Sequence, residues 1–155
     1  VPVWFEIDGE RRAVAIPPGT GDGAAPPAAE PPPFAGDGGE QVELRLIELA
    51  WARSGDKGDL SNIGLVARRP EWLPLLWSRV TPEAVGAYFA HLVHGRVERF
   101  HLPGIAAMNL LLHGALDGGG PSSMRLDPLG KGMGQMLLDM RVKVPRAVAQ
   151  AVQRR

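Results

Sequence analysis

Ser54-Gly55-Asp56-Lys57-Gly58-Asp59 sets two carboxylates, one ammonium and two glycines between two apolar runs. Glycines on both sides of Lys57 let the backbone turn at little steric cost. Three kinds of binding chemistry fit such a loop. Lys57, with Arg53, can pair with a carboxylate or phosphate. The N–H groups of the glycine turn can cradle an anion. Asp56 and Asp59 can offer oxygen ligands to a hard cation such as Mg²⁺. The plainer alternative is a turn in which the aspartates cap their own backbone and Lys57 pairs with one of them. A Walker P-loop is excluded, since Gly-x-x-x-x-Gly-Lys-Ser/Thr is absent.

Other polar residues stand out against apolar surroundings. Asn109 and His113 share one face of an otherwise apolar segment. Buried, they need hydrogen-bond partners; in a pocket beside the charged loop, His113 would move a proton near neutral pH. Gly118-Gly119-Gly120-Pro121 and the later Asp127-Pro128 and Lys131 combine loop amides with an expected helix start, which attracts anions. Asn62, just past the charged loop, joins the candidates. The candidate binding set is therefore Arg53, Ser54, Gly55, Asp56, Lys57, Gly58, Asp59, Asn62, Asn109, Gly119, Gly120 and Lys131, with Asp56, Lys57, Asp59 and His113 as candidate catalytic groups. His91 and His94 lack a His-Glu-x-x-His pattern, so no metal is expected. Nucleophile elbow and dinucleotide fingerprint are both missing, and no cofactor is expected.

Positioning these groups requires a sheet. Val3–Ile7 and Glu10–Ile16 flank Asp8-Gly9, a strong hairpin turn. A lone hairpin is marginal, so it is expected to dock on the body or on a partner. Residues 17–40 are rich in Pro, Gly and Ala and read as a linker. The main domain is placed at 41–145, with 146–155 as a tail that forms a loose helix. Val42, Leu44 and Leu46 alternate, then Ile47, Leu49 and Trp51 continue in the opposite phase. That shift predicts a β-bulge near Leu46-Ile47, or a strand buried on both faces. A second strand is predicted over about 62–68. Pro70 opens one helix, Thr81-Pro82 caps a second, and Gly95 stops it. Strands follow at 96–102 and 105–116. A last helix is expected from Asp127-Pro128, then a short closing strand at Val142 and Val144.

Composition narrows the classes. The 155 residues are 45% hydrophobic, with 17 basic and 17 acidic side chains and no cysteine. Zero net charge argues against a dedicated nucleic-acid binder. Absent cysteines remove disulfides and thiolate metal sites. No apolar run approaches the ~20 residues of a transmembrane helix, and a cytoplasmic location is expected.

Ala52-Arg53-Ser54-Gly55-Asp56-Lys57-Gly58-Asp59 with Asn62-Ile63-Gly64 resembles the signature of the acyclic terpene utilisation (AtuA-like) family. Val97-Glu98-Arg99-Phe100, Asn109-Leu110-Leu111-Leu112-His113, Gly118-Gly119-Gly120 and Arg125 to Lys131 follow in matching order. The resemblance is to the small C-terminal domain of that family and implies a ferredoxin fold. It supplies no catalytic residues. The expected architecture is α+β, a ferredoxin-like βαββαβ sandwich with an extra strand hairpin at the start and helices on one sheet face. The expected role is an accessory or ligand-binding domain in catabolism of acyclic terpenoid or branched acyl compounds. It would dock with a large AtuA-type subunit or self-associate, and take an anionic small molecule but no nucleic acid or membrane. The alternative is an enzyme, or catalytic subunit, acting on an acyl-CoA or carboxylate through the Ser54–Asp59 loop and His113.

Overall fold

A computed structural model describes residues 3–15, 29–36 and 38–154. Among the described residues, eight strands run in three antiparallel sheets. Strands β1 (Val3–Ile7) and β2 (Glu10–Val14) form a hairpin, β3 (Gln41–Arg45) and β8 (Arg141–Pro145) a ribbon, and the main sheet has the order β4-β5-β7-β6. Its members are β4 (Ala50–Lys57), β5 (Leu60–Ala67), β6 (Val97–Leu102) and β7 (Ala107–Leu112). The helices are α1 (Leu46–Leu49), α2 (Leu73–Arg79), α3 (Pro82–Tyr88), α4 (Met133–Leu138) and α5 (Arg146–Gln153). None is long and apolar enough to cross a membrane, among the described residues.

Alternation along the strands builds one core face. Ile63 and Leu65 on β5 lie opposite Leu110 and Met108 on β7, and all four are buried. Val85, Phe89, Met133 and Leu137 from α3, α4 and their flanks belong to the same cluster. The α+β class and the segregation of helices to one side of the main sheet follow the pattern expected from the sequence.

The phase shift at Leu46 has another cause than a bulge. It is a single helical turn, α1, with Leu46 and Leu49 both buried at i, i+3 spacing. The Glu48 carboxylate accepts the Arg45 N–H at 2.9 Å and fixes the turn's start. The chain thus leaves the ribbon at Arg45 and enters the main sheet at Ala50. In consequence β4 occupies the place beside β5, and the closing strand β8 pairs with β3. β7 is also shorter than the expected 105–116. Ala106, at φ +48, still belongs to the turn after Pro103-Gly104, and Gly114, at φ +58, ends the ladder.

The last helix begins later than Asp127 predicts. Gly130 adopts φ +59, and a Cβ there would press on Leu116 and Ser61, so helix cannot pass through it. Asp127 instead braces the turn that precedes the helix: its carboxylate accepts the N–H groups of Lys131 and Gly132, each at 2.8 Å, and the helix itself has no side-chain cap. The cap at Thr81 stands as read. Its hydroxyl accepts the Ala84 N–H at 3.2 Å, with Pro82 in the first turn. Thr81→Ala is expected to cost about 1 kcal/mol, read as a melting-point drop of about 2–4 °C; no drop at all would show that the cap contributes nothing.

Part of the expected linker lies outside the described residues. Of the part that is described, residues 29–36 lie along the body, with Pro31 buried and Phe34 packed on the core. The hairpin turn is as read, with Asp8 and Gly9 both at positive φ. Its docking is not seen: residues 4–15 are all exposed.

Candidate functional site

The Ser54–Asp59 segment is mostly strand and not loop. The β4–β5 ladder continues from Ala50↔Ala67 to Lys57↔Leu60, leaving only Gly58 and Asp59 in the turn. Strand alternation therefore splits the cluster between two faces. Ser54 points into the core side, 5% exposed. Its hydroxyl donates to the Lys131 carbonyl at 3.0 Å and accepts the Gly134 N–H at 2.8 Å. Ser54 thus fastens α4 to the sheet. Arg53, Gly55 and Lys57 lie on the opposite face.

Among the described residues, no helix lies over that opposite face. Across it, Trp51 neighbours Val66, Val66 neighbours Ala107, and Ala107 neighbours Leu102. The next row is Arg53, Gly64, Asn109 and Phe100, and the one after it Gly55, Asn62, Leu111 and Glu98. Trp51 is 51% exposed and Phe100 46%. The Arg68 guanidinium lies 4.7 Å from the Trp51 ring centroid. Such a stack keeps an indole ordered in water.

One corner of this face is concave. An open cavity of about 520 Å³ is lined by Arg53, Gly55, Asp56 and Lys57 of β4, with Leu60, Asn62, Leu111 and Lys131. Lys131 reaches across the sheet edge to place its Nζ 3.7 Å from an Asp56 carboxylate oxygen. Gly55 admits that ammonium: a Cβ there would sit 3.1 Å from Nζ. The lining thus carries three cations, Arg53, Lys57 and Lys131, against one carboxylate. The excess positive charge favours an anionic ligand group, while Leu60 and Leu111 offer an apolar wall. Among the described residues no group of His, Asp and Glu is placed to hold a metal ion.

Six of the sequence candidates meet here: Arg53, Gly55, Asp56, Lys57, Asn62 and Lys131. The others do not line the cavity. Asp59 accepts the Leu116 N–H through its carboxylate at 2.8 Å, and its carbonyl accepts the Ala115 N–H. Gly58 turns at φ +62 under Gly119, where a side chain would collide with the Gly58 carbonyl. The Gly119 N–H donates to the Leu116 carbonyl and the Gly120 N–H to that of Pro128. The glycine loop is thus a packed joint whose Gly119 and Gly120 amides already have acceptors, and the amides of Lys131 and Gly132, just before α4, are held by Asp127.

Asn109 sits at mid-face, between Gly64 and Phe100. His113 lies just past β7, its backbone N–H continuing the ladder to the Arg96 carbonyl. Its Nε2 meets a Glu98 carboxylate oxygen at 2.6 Å, and Arg96 meets the same oxygen at 3.0 Å. The His113 hydrogen bond first, and then that of Arg96, hold the Glu98 carboxyl below its usual range. His113 therefore belongs to a dyad on the β6 side. Lys57 stands on β4, with β5 between, so the two are about 10 Å apart by strand spacing. Glu98 was not singled out from sequence. Its signal was present: on a strand, 98 shares the face of Phe100 and opposes Leu111.

The family model of the AtuA ferredoxin-like domain matches residues 44–143. No curated protein and no solved structure matches the chain.

Proposed function

The chain belongs to the AtuA ferredoxin-like domain family, and from that premise we propose that it is an accessory domain that binds an anionic group on its uncovered sheet face. The observation behind this reading is the cavity whose lining combines Arg53, Lys57 and Lys131 with a single carboxylate, Asp56, and the apolar Leu60 and Leu111. A carboxylate or phosphate would pair with the cations, and an attached hydrocarbon would lie on the apolar wall. Compounds of that form include the acyclic terpenoid and branched acyl acids that the family name implies, handled in the cytoplasm. The rest of the face, with Trp51 and Phe100, is a surface for a large AtuA-type subunit or another copy. An enzymatic reading needs Asp59 and His113 in the same cleft as Lys57. Asp59 instead braces Leu116, and His113 is paired with Glu98, so binding is the better-supported role.

Calorimetric titration with inorganic phosphate and with hexanoate tests the reading. Arg53→Ala and Lys131→Ala are each expected to weaken binding about three- to tenfold, the range for a charged hydrogen bond at a partly wet site. Both side chains are exposed in the unliganded chain, so the melting point should barely move. Unchanged affinity in the double variant would refute the site.

A further inference from the structure

We propose that the Glu98–His113 dyad is the second anchor of the ligand held at the cationic corner, so that the site takes a short hydroxy acid, carboxylate at one end and hydroxyl at the other. The inference rests on the reading of that corner as an anion site. It begins from the two apolar residues of the cavity wall. Leu111 lies directly opposite Glu98 across the β7–β6 ladder. Leu60 lies one step beyond the Ser61↔Leu112 pair, beside His113. The apolar wall thus borders the dyad on both strands. Lys57 pairs with Leu60, so Lys57, Leu60 and His113 form one row across the uncovered face, about 10 Å from end to end. Cation, apolar strip and imidazole follow one another along it.

The chemistry of the dyad sets what the far end of the ligand must be. The Glu98 carboxylate accepts from His113 Nε2 at 2.6 Å and from Arg96 at 3.0 Å, and those two bonds favour its ionised form. Nε2 is thereby fixed as the protonated nitrogen, which leaves Nδ1 of the neutral ring as an acceptor. Among the described residues no other hydrogen bond reaches the imidazole. The two side chains are 31% and 35% exposed, so the ring is held and still reachable from the face. Such an acceptor recognises a group that donates. An ammonium there would face Arg96 and a carboxylate would face Glu98, whereas a hydroxyl meets neither repulsion. The same charges fix the polarity of the ligand, acid at Lys57 and hydroxyl at His113. With a hydrogen bond of about 2.9 Å at each end, a chain of roughly four to six carbons spans the ~10 Å row.

Calorimetric titration of the full chain with 6-hydroxyhexanoate, hexanoate and 6-methoxyhexanoate tests this. The hydroxy acid is expected to bind about three- to tenfold more tightly than hexanoate, the range of one neutral hydrogen bond. The methoxy acid, which cannot donate, should show no such gain. In His113→Phe, which keeps a ring and removes the acceptor, the hydroxy acid should lose its advantage. Glu98→Gln, which frees the imidazole to take either tautomer, should reduce it. Imidazole ¹⁵N spectra of the native chain do not depend on how those variants fold: the His113 Nδ1 signal should move with 6-hydroxyhexanoate and stay with hexanoate. Equal affinities for the three acids, with Arg53→Ala and Lys131→Ala still weakening all of them, would overturn the inference and leave the anion site standing. A hydroxyl advantage that persists in His113→Phe, or a methoxy acid that matches the hydroxy acid, would overturn it as well. Acids that bind the Arg53→Ala, Lys131→Ala double variant as they bind the native chain would remove the anion reading, and the bridge with it.

Discussion

Gly119→Ala is expected to cost about 3–5 kcal/mol, combining a left-handed backbone with forced overlap in a packed joint. Gly119 adopts φ +66, and its missing side chain is where the Gly58 carbonyl sits. The listening partner is backbone, which cannot rotate aside as a side-chain tip would. Relief requires moving the β4–β5 turn, and with it Asp59 and its bond to Leu116. Gly120→Ala is the control. It too has positive φ, +50, but nothing lies within 4 Å of its Cβ. It should cost only about 1 kcal/mol. Urea unfolding of both variants measures the difference, and equal losses would show that the Gly58–Gly119 contact does not matter.

The second large effect is expected at Arg125. Its guanidinium donates to the Ala115 carbonyl, to the Leu92 carbonyl at 2.9 Å, and to both carboxylate oxygens of Asp117 at 2.8 and 3.0 Å. It ties the end of the α3 region, the exit from β7 and the glycine loop to one point. Arg125→Met keeps the apolar stem and removes the donors. The carbonyls left behind make the loss about 2–4 kcal/mol in urea unfolding; a change within ~0.5 kcal/mol, the size of a neutral surface substitution, would refute the role. The gap should also depend on pH. The Arg125 hydrogen bonds hold the Asp117 carboxyl below its ordinary value of 3.8. A depressed carboxyl adds stability above its unfolded value and loses it as pH falls through the folded one. The native chain's advantage should therefore narrow below 3.8 and hold steady from there toward neutrality.

Local signals in the sequence were reliable where a single residue carries the physics. Asp8-Gly9 turns, Thr81 caps, and the alternation Ile63, Leu65, Ala67 marks a half-buried strand. Gly95 also stood out, but for a reason sequence cannot reveal: a Cβ there would meet the His113 carbonyl. What escaped depends on contacts distant in sequence. Leu46–Leu49 reads as a slipped strand because a one-turn helix and a phase shift place the same residues inside. The cationic corner needed Lys131 brought to Asp56, which follows only from α4 seating on Ser54 and Gly134. The charged segment was legible as unusual, but not its division between a structural half, Ser54 and Asp59, and an exposed half, Arg53 and Lys57. That division comes from the strand continuing to Lys57, against the turn preference of its glycines.

The β3–β8 ribbon has a consequence for how the chain assembles. Gln41 pairs with Pro145 and Arg45 with Arg141, so each rung joins residues separated by roughly a hundred positions. Closing so long a loop is entropically costly, and such contacts reward the chain late. On a ribosome β3 emerges well before β8 and has no ribbon partner until roughly a hundred further residues have been made. During that interval its backbone is an open edge, able to pair with a neighbouring nascent chain. Glu40, Glu43 and Arg45 punctuate the segment with charge, the feature that discourages such pairing. Charges that in the finished fold pair across the surface, Arg45 with Asp139 and Glu40 with Arg146, thus act before there is a finished surface.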